Sequence, residues 1–543
     1  MTNNEFLMSS ILLNACLVFL TWISFKPLLA KLPQWVRAIG GGFAVGCFFG
    51  IEYWVRDSLL LHHTGQSLGQ YVDRISVYTF APTLFLYSIY KIMAGTIRQS
   101  GGLWNALLRP GRHADIVLRG AEIVSSDELA KMTFQPNADQ VKIGELPLPV
   151  EAETKHILVP GGTGSGKSLS FNWLMVSARR RKQKAIIVDL EGASLSKFYR
   201  EGDFILNPFD SRSQQWSPMC EIKNVWDIDL IKKSMIPDNE GEIGEWRLHA
   251  QNVLAVITKN LLESGRADNQ NLYESLIIKL QSELKEVVAG TPAQRIFEPG
   301  ADRMLQGVLS IISTFFSPYQ YLPKSVGPNN GFSIKDWMQR DDDSWLFINV
   351  SEGQLKSLGP LIATWLDVAI TALLALPPSQ DRRVWFFMDE LASYQINNIE
   401  ALLTKSRKNG GVAVGAVQQL SQLRKIYGNN DAQTLLGNFS SKLVLRQADT
   451  EIAEHFAKYL GSQEVLRRQN SGNKSNNGQG KGKSDGWSEQ ITLRQIVLPS
   501  QLIKLPDRVG YLSLVGDFPV AKITVPGIDF GTSKVEPFIP AKM

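Results

Sequence analysis

Cysteine is almost absent, with Cys16, Cys47 and Cys220 the only three in 543 residues, and the first two lie inside apolar N-terminal runs. That spacing fits neither a disulfide framework nor a zinc site, and a cysteine-poor body suits a reducing cytoplasm. The six histidines do not cluster with carboxylates at ligand spacing, which argues against a histidine-rich metal centre. A strong charge of one sign is also lacking. The formal net charge of +5 permits contact with nucleic acid or anionic lipid and demonstrates neither. The head Met1–Glu5 has no positive charge and no small-residue cleavage pattern follows, so a cleaved signal peptide is not expected. There is no internal repeat, and no basic-aromatic stacking motif marks a nucleic-acid surface.

Long apolar runs are present, and the first ~95 residues are far more apolar than the rest. Phe6–Phe25 is uncharged and long enough to cross the ~30 Å hydrocarbon layer as a helix. Ala38–Val55 is a second candidate, Gly-rich and carrying Glu52, and Ile75–Ala94 a third, weakened by Pro82 and Lys91. Lys26, Lys31 and Arg37 follow the first run and Lys91, Arg98, Arg109 and Arg112 follow the third. Basic loops stay cytoplasmic, so the pattern predicts three crossings with everything after residue 95 inside. Two crossings result if Ala38–Val55 lies at the interface. The competing reading is a set of buried helices in a soluble domain.

From about residue 150 short apolar runs rich in Val, Ile, Leu and Phe alternate with helical stretches. The runs are His156–Pro160, Ala185–Val188, Trp345–Ile348, Val384–Met388, Val412–Val417, Lys442–Leu445 and Tyr511–Val515. Near-continuous apolar character suits strands buried on both faces of a parallel sheet, and the alternation predicts an α/β layered domain. A polar residue or glycine follows each of six runs: Gly161, Asp189, Asn349, Asp389–Glu390, Gln418 and Arg446. In open α/β sheets ligands sit beyond the carboxyl ends of the strands, so these residues predict one active-site rim. Between 214 and 329 the strand pattern stops. Helical periodicity in Glu245–Leu262, Asn271–Val288 and Met304–Phe316 predicts an inserted all-α domain. The polar stretch Arg467–Ser488 reads as a mobile loop. The expected layout is a membrane anchor (1–95), a nucleotide-binding domain in two parts (96–213 and 330–543) and the insert (214–329).

Gly161-Gly162-Thr163-Gly164-Ser165-Gly166-Lys167-Ser168 is a complete GxxxxGK[ST] P-loop, followed by the helical stretch Leu169–Arg179. The glycines let backbone N–H groups curl toward phosphate oxygens at a helix N-terminus. Lys167 is placed to reach the β/γ-phosphates and Ser168 to ligate Mg²⁺, with Leu169 next along the nucleotide's path. An apolar strand ends in Asp389–Glu390, with Asp389 expected in the magnesium shell and Glu390 expected to polarise the attacking water. The bland alternative is that Glu390 caps a following helix. Gln418 could bond the γ-phosphate and the lytic water, or be an ordinary strand-end residue. Lys405, Arg407 and Lys408 precede Gly410–Gly411. They form either a solvated basic face or, at Arg407, an arginine finger for a neighbouring subunit's nucleotide. Arg446 is the alternative finger or a nucleotide contact, and Asp189 supports the magnesium shell. Cofactors are therefore ATP and Mg²⁺.

Several ordered blocks resemble the TraD/TrwB coupling ATPases of the wider FtsK/HerA group, over about Gly120–Ile523. They are the P-loop, Ile187-Val188-Asp189 running into Ser196-Lys197-Phe198, Ile205-Leu206-Asn207-Pro208-Phe209-Asp210, Trp385–Leu391, Ser406–Gly411, Gln418 with Gln422-Leu423, and Tyr427-Gly428. The resemblance implies a RecA-like nucleotide domain interrupted by an all-α domain, with N-terminal transmembrane helices in the bacterial inner membrane and the ATPase in the cytoplasm. It further implies a homo-hexamer that binds DNA and couples ATP hydrolysis to passing the relaxase-bound strand of a relaxosome into the type IV secretion channel. Two departures stand out: three candidate spans rather than two, and no long acidic C-terminal extension after the last strand. Recruitment of protein effectors, an FtsK-like DNA pump and a nucleotide-gated membrane scaffold with little hydrolysis are the competing functions. The all-α insert disfavours the pump and Glu390 disfavours the scaffold.

Overall fold

The computed structural model describes residues 116–541 apart from 240, 280, 478–479 and 532–534. The three candidate membrane spans lie outside the described residues. The described residues fall into two compact bodies, one holding 116–118 with Glu464–Thr492, the other Arg119–Gln463 with the residues from Leu493 onward.

The larger body is built on a ten-stranded sheet. Its strands in chain order are β1 (Ile123–Ser125), β2 (Ile157–Pro160), β3 (Lys184–Leu190), β4 (Phe204–Ile205) and β5 (Trp345–Val350). They continue with β6 (Val384–Met388), β7 (Gly411–Val417), β8 (Ser441–Val444), β9 (Val509–Ser513) and β10 (Val520–Thr524). Their order across the sheet is β1-β10-β9-β8-β2-β7-β6-β3-β5-β4. All seven sequence-read runs are strands. The seven strands from β8 to β4 run parallel. The last run departs from the expected parallel sheet, since β9 is antiparallel to both β8 and β10. An apolar run carries no information about strand direction, and the short link from β9 to β10 allows a hairpin.

Period-two alternation makes two cores from one sheet. Ala185, Ile187, Trp345, Phe347, Trp385 and Phe387 pack on one face with Phe171, Leu174 and Met175 of helix α1 (Lys167–Arg180) and with helix α2 (Leu195–Phe198). Ile186, Val188, Leu346, Ile348, Phe386 and Met388 pack on the other with Trp365, Leu366 and Ile370 of a 24-residue helix, Glu352–Ala375. Both phenylalanines of β6 are almost fully buried, each contributing about 1.5–3 kcal/mol of transfer free energy. Glu352–Ala375 is long and apolar enough to cross a membrane, yet two thirds of its apolar window is buried in this core.

Between β4 and β5 the chain is helical, as its periodicity suggests: α3 (Asp227–Met235), α4 (Gly241–Glu263) and α5 (Asp302–Phe316). The buried faces of α4 and α5 join the same apolar core as the second sheet face. Asn271–Val288 is not one helix. It breaks into Asn269–Tyr273, a π-turn Glu274–Ile278 and Gln281–Val288. The Arg467–Ser488 stretch is corrected as well. Ser462–Asn477 and Gly480–Gln495 are strands, with Ser462–Asn477 between Ile116–Gly120 and Gly480–Gln495. Backbone pairing needs no apolar side chains, so a polar, Gly-rich sequence did not announce it.

Candidate active site

Parallel pairing fixes the rim. Pro160 is in register with Val417 and Met388 with Val188, so the residues following β2, β7, β6 and β3 emerge side by side on one edge. Across that edge the order is Arg446, Gly161, Gln418, Asp389–Glu390, Asp189 and Asn349, given by the strand order.

The P-loop is a tight backbone cup between β2 and α1. A methyl group on Gly161 would come within 2.5 Å of the Ser165 hydroxyl and 3.0 Å of Leu445 Cβ, so only glycine fits. Gly166 sits at φ 110° as the N-cap of α1 and offers no side-chain cap. The first-turn N–H groups are thereby left for an anion, which the helix dipole favours. Lys167 Nζ donates to the carbonyls of Gly161 (3.0 Å) and Gly162 (3.1 Å). Burial pulls its pKa down, and the charges of Glu390 and Asp389 oppose that shift. Ser168 is exposed and Leu169 half-buried at the mouth.

The acid pair faces this cup. Burial raises the pKa of Asp389, with Lys167 pulling it back, and its Oδ1 is buried without a hydrogen-bond partner. An orphaned carboxylate oxygen next to a phosphate cup fits a magnesium ion, which with Ser168 it would hold; bound there, the ion would neutralise phosphate charge. Among the described residues no cluster of three or more His, Cys, Asp or Glu forms a metal site by itself. Glu390 is 9% exposed. Burial lifts its carboxyl to about 7, against hydrogen bonds from the Ala392 N–H and the Gln418 side chain and the charge of Lys167. The chain makes turns after Glu390 and the next helix starts only at Ile399, so the helix-cap alternative fails. Gln418 Oε1 accepts from the Thr163 hydroxyl at 3.1 Å, leaving its amide N–H to face Glu390. The Thr163 hydroxyl, the Gln418 amide and the Glu390 carboxyl thus lie in one chain of side-chain contacts.

The remaining rim residues divide. Asp189 is buried and pushed up to about 6, chiefly by desolvation and also by Asp389. Its Oδ2 accepts from the N–H groups of Ser194 (2.8 Å) and Leu195 (2.7 Å), so it organises its own loop. Asn349 Nδ2 turns away toward the Pro537 carbonyl (3.1 Å). Arg446 donates to the Thr163 carbonyl at 3.3 Å and pairs with Asp507 at 2.9 Å, which ties it to its own P-loop. Arg407 is exposed on a 3₁₀ turn (Ser406–Asn409) that precedes β7, at the opposite edge of the sheet from the cup. Sequence reasoning missed Gln447, buried with its amide on the Pro160 (3.0 Å) and Leu445 (2.7 Å) carbonyls. It also missed Arg508, whose N–H donates to the Ser165 carbonyl at 2.8 Å. Neither lies in a recognisable motif.

A P-loop at the carboxyl edge of the parallel strands of a large mixed sheet, faced by an acid pair from the strand two places along, defines the class as a P-loop α/β protein. The profile of the type IV secretion-system coupling protein DNA-binding domain matches residues 140–526. The chain belongs to the TraD/TrwB family of type IV secretion coupling proteins. It is 27% identical over 405 residues to the coupling protein TraD of Escherichia coli (strain K12), covering 73% of this chain and 56% of that protein. It therefore spans little more than half the length of that relative. The bacterial conjugative coupling protein TrwBdeltaN70, in an unbound form, is 32% identical with a TM-score of 0.71, over 80% of this chain and 98% of the other. TrwB in complex with ADP and Mg²⁺ is 31% identical with a TM-score of 0.70, over 80% and 99%. TrwB has also been solved with the ATP analogue ADPNP and the GTP analogue GDPNP.

Proposed function

We propose that this chain is a membrane-anchored ATPase that binds Mg²⁺–ATP at the P-loop and uses hydrolysis to drive DNA into a type IV secretion channel. The carrying observation is the approach of Glu390, pushed up to about 7, to the phosphate cup through Gln418 and Thr163. A base near neutral pKa can accept a proton from water at physiological pH. Lys167 and the α1 N-terminus hold the phosphates, Asp389 and Ser168 the ion, and Gln418 aligns the water. Asp189 supports the magnesium side by fixing the loop after β3. Arg407, remote from its own cup, acts in trans on a neighbour's nucleotide, which requires a closed ring such as a homo-hexamer. Arg446 is a cis contact to the nucleotide. The family profile, that of a coupling-protein DNA-binding domain, and the likeness to the conjugative coupling protein TrwB support DNA as the cargo, and the apolar runs before residue 95 support an inner-membrane anchor.

The test is ATP hydrolysis by the full chain in lipid nanodiscs, at low salt, with and without single- and double-stranded DNA. Stimulation that fades steeply with salt is expected, because phosphate contacts release counterions. Hydrolysis indifferent to both DNA forms would instead favour recruitment of protein effectors.

A further inference from the structure

We infer that Arg508 is a nucleotide-binding residue whose guanidinium stacks on the purine base. This rests on the P-loop reading above and adds the base end of the ligand to it. Arg508 has φ 65°, in the left-handed region that a residue with a Cβ occupies only at a cost. The position is fixed by backbone bonds on both sides: its N–H donates to the Ser165 carbonyl (2.8 Å), and its carbonyl accepts from the Val525 N–H (2.7 Å). Glycine would meet both demands without strain, so a strained arginine against the phosphate loop points to its side chain.

The side chain lies where a nucleoside must leave the cup. Glu390, Asp389 and Gln418 follow β6 and β7, on one side of the P-loop strand β2. The γ-phosphate end of a triphosphate points that way, so the ribose and base leave toward the other side, where β8 and β9 lie. Arg508, immediately before β9, is on that side. A methyl group on Gly166 would come within 3.2 Å of its Cα and 3.6 Å of its Cγ. One on Gly527 would lie 3.8 Å from its Nη1. The arginine stem therefore runs from the P-loop toward the segment Pro526–Gly527, where Trp173 of α1 donates its indole N–H to the Pro526 carbonyl (2.8 Å). Arg508 is exposed and makes no ion pair or side-chain hydrogen bond among the described residues, whereas neighbouring Arg446 is held by Asp507 and Thr163. A planar, weakly hydrated guanidinium stacks on π faces without reading their edges, so the contact favours adenine and guanine alike.

The experiment measures equilibrium binding of ATP, GTP and inorganic tripolyphosphate, each with Mg²⁺, to the full chain and to Arg508→Gly and Arg508→Lys. Arg508→Gly keeps both backbone bonds and relieves the strain, so its melting temperature should equal or exceed that of the parent. It should bind ATP and GTP about tenfold more weakly, the scale of one lost base stack, with tripolyphosphate affinity unchanged. Arg508→Lys, which keeps the charge and loses the plane, should show most of the same loss. Unchanged ATP affinity in Arg508→Gly would overturn the assignment. An equal loss for tripolyphosphate would also overturn it, by making the residue a phosphate contact. A parent chain that binds none of the three would refute the P-loop reading itself, and Lys167→Ala, expected to lose all three, separates that failure from the loss of the base contact alone.

Discussion

If Glu390 is the base of the proposed hydrolysis, the burial that lifts it to about 7 should make activity depend on pH in a window where an ordinary glutamate is silent. Only the ionised carboxylate can accept the proton of the attacking water, so activity is present above the pKa and lost below it. At pH 6 about one tenth of Glu390 is ionised and at pH 8 about nine tenths, so kcat/KM should rise about tenfold between them, since it reports the free enzyme. The same shift acts on stability with the opposite usefulness. Folding strengthens proton binding at Glu390, so stability falls as pH rises from 4.5 to 7, and the full penalty stands above 7. The gap between 4.5 and about 7 corresponds to about 3 kcal/mol. Glu390→Gln removes the charge and keeps the shape. It should bind ATP, fail to turn it over, and unfold at higher denaturant at pH 8, with the advantage gone by pH 4.5. The assays are steady-state hydrolysis at saturating Mg²⁺, which keeps the nucleotide's own protonation out of the window, and denaturant titration of both proteins at each pH. A flat kcat/KM between pH 6 and 8, or equal stability of the two proteins at pH 8, would refute the reasoning.

Three further outcomes are expected. Lys167→Ala should abolish Mg²⁺–ATP binding in a filter or fluorescence assay, because its ammonium is the cation inside the cup. Arg407→Ala should be inactive alone and regain hydrolysis when mixed with Lys167→Ala, since each supplies what the other lacks across a subunit boundary; no rescue at any mixing ratio would rule out the finger. His156 is buried and neutral, with Nδ1 accepting from the Ala413 N–H and Nε2 bonded to the Leu403 carbonyl, and burial lowers its pKa to about 4. Its contribution is complete above pH 6.5 and lost as pH falls toward 4. The parent should therefore lose about 3 kcal/mol more than His156→Gln over that range in denaturant titrations.

Much of the site was legible because its chemistry is local. A P-loop is eight consecutive residues whose backbone must curl, and Asp389–Glu390 ends a strand that buries Val384 to Met388 on both faces. Strand identity, and hence the shared rim, followed from the apolar runs. What stayed hidden depends on pairing across the chain. The Thr163–Gln418 bond joins residues 255 apart, and Arg508 reaches the P-loop only because β9 turns back against β8. Asn349 and Asp189 stand on the rim as expected, and their bonds to the Pro537 carbonyl and the Ser194–Leu195 backbone are contacts that position along a strand does not encode. The break at Glu274–Ile278 escaped because helical periodicity continues smoothly through a π-turn.

The central claim is that the glycine cup and the acid pair close on one metal-bound triphosphate, and a double-mutant cycle tests it most directly. Mg²⁺-dependent ATP affinity would be measured for the parent, Ser168→Ala, Asp389→Asn and the double variant. Two groups holding the same ion should be coupled by at least about 1 kcal/mol, the double variant losing much less than the two single losses combined. Losses that add to within about 0.5 kcal/mol would contradict it, because independent sites behave that way.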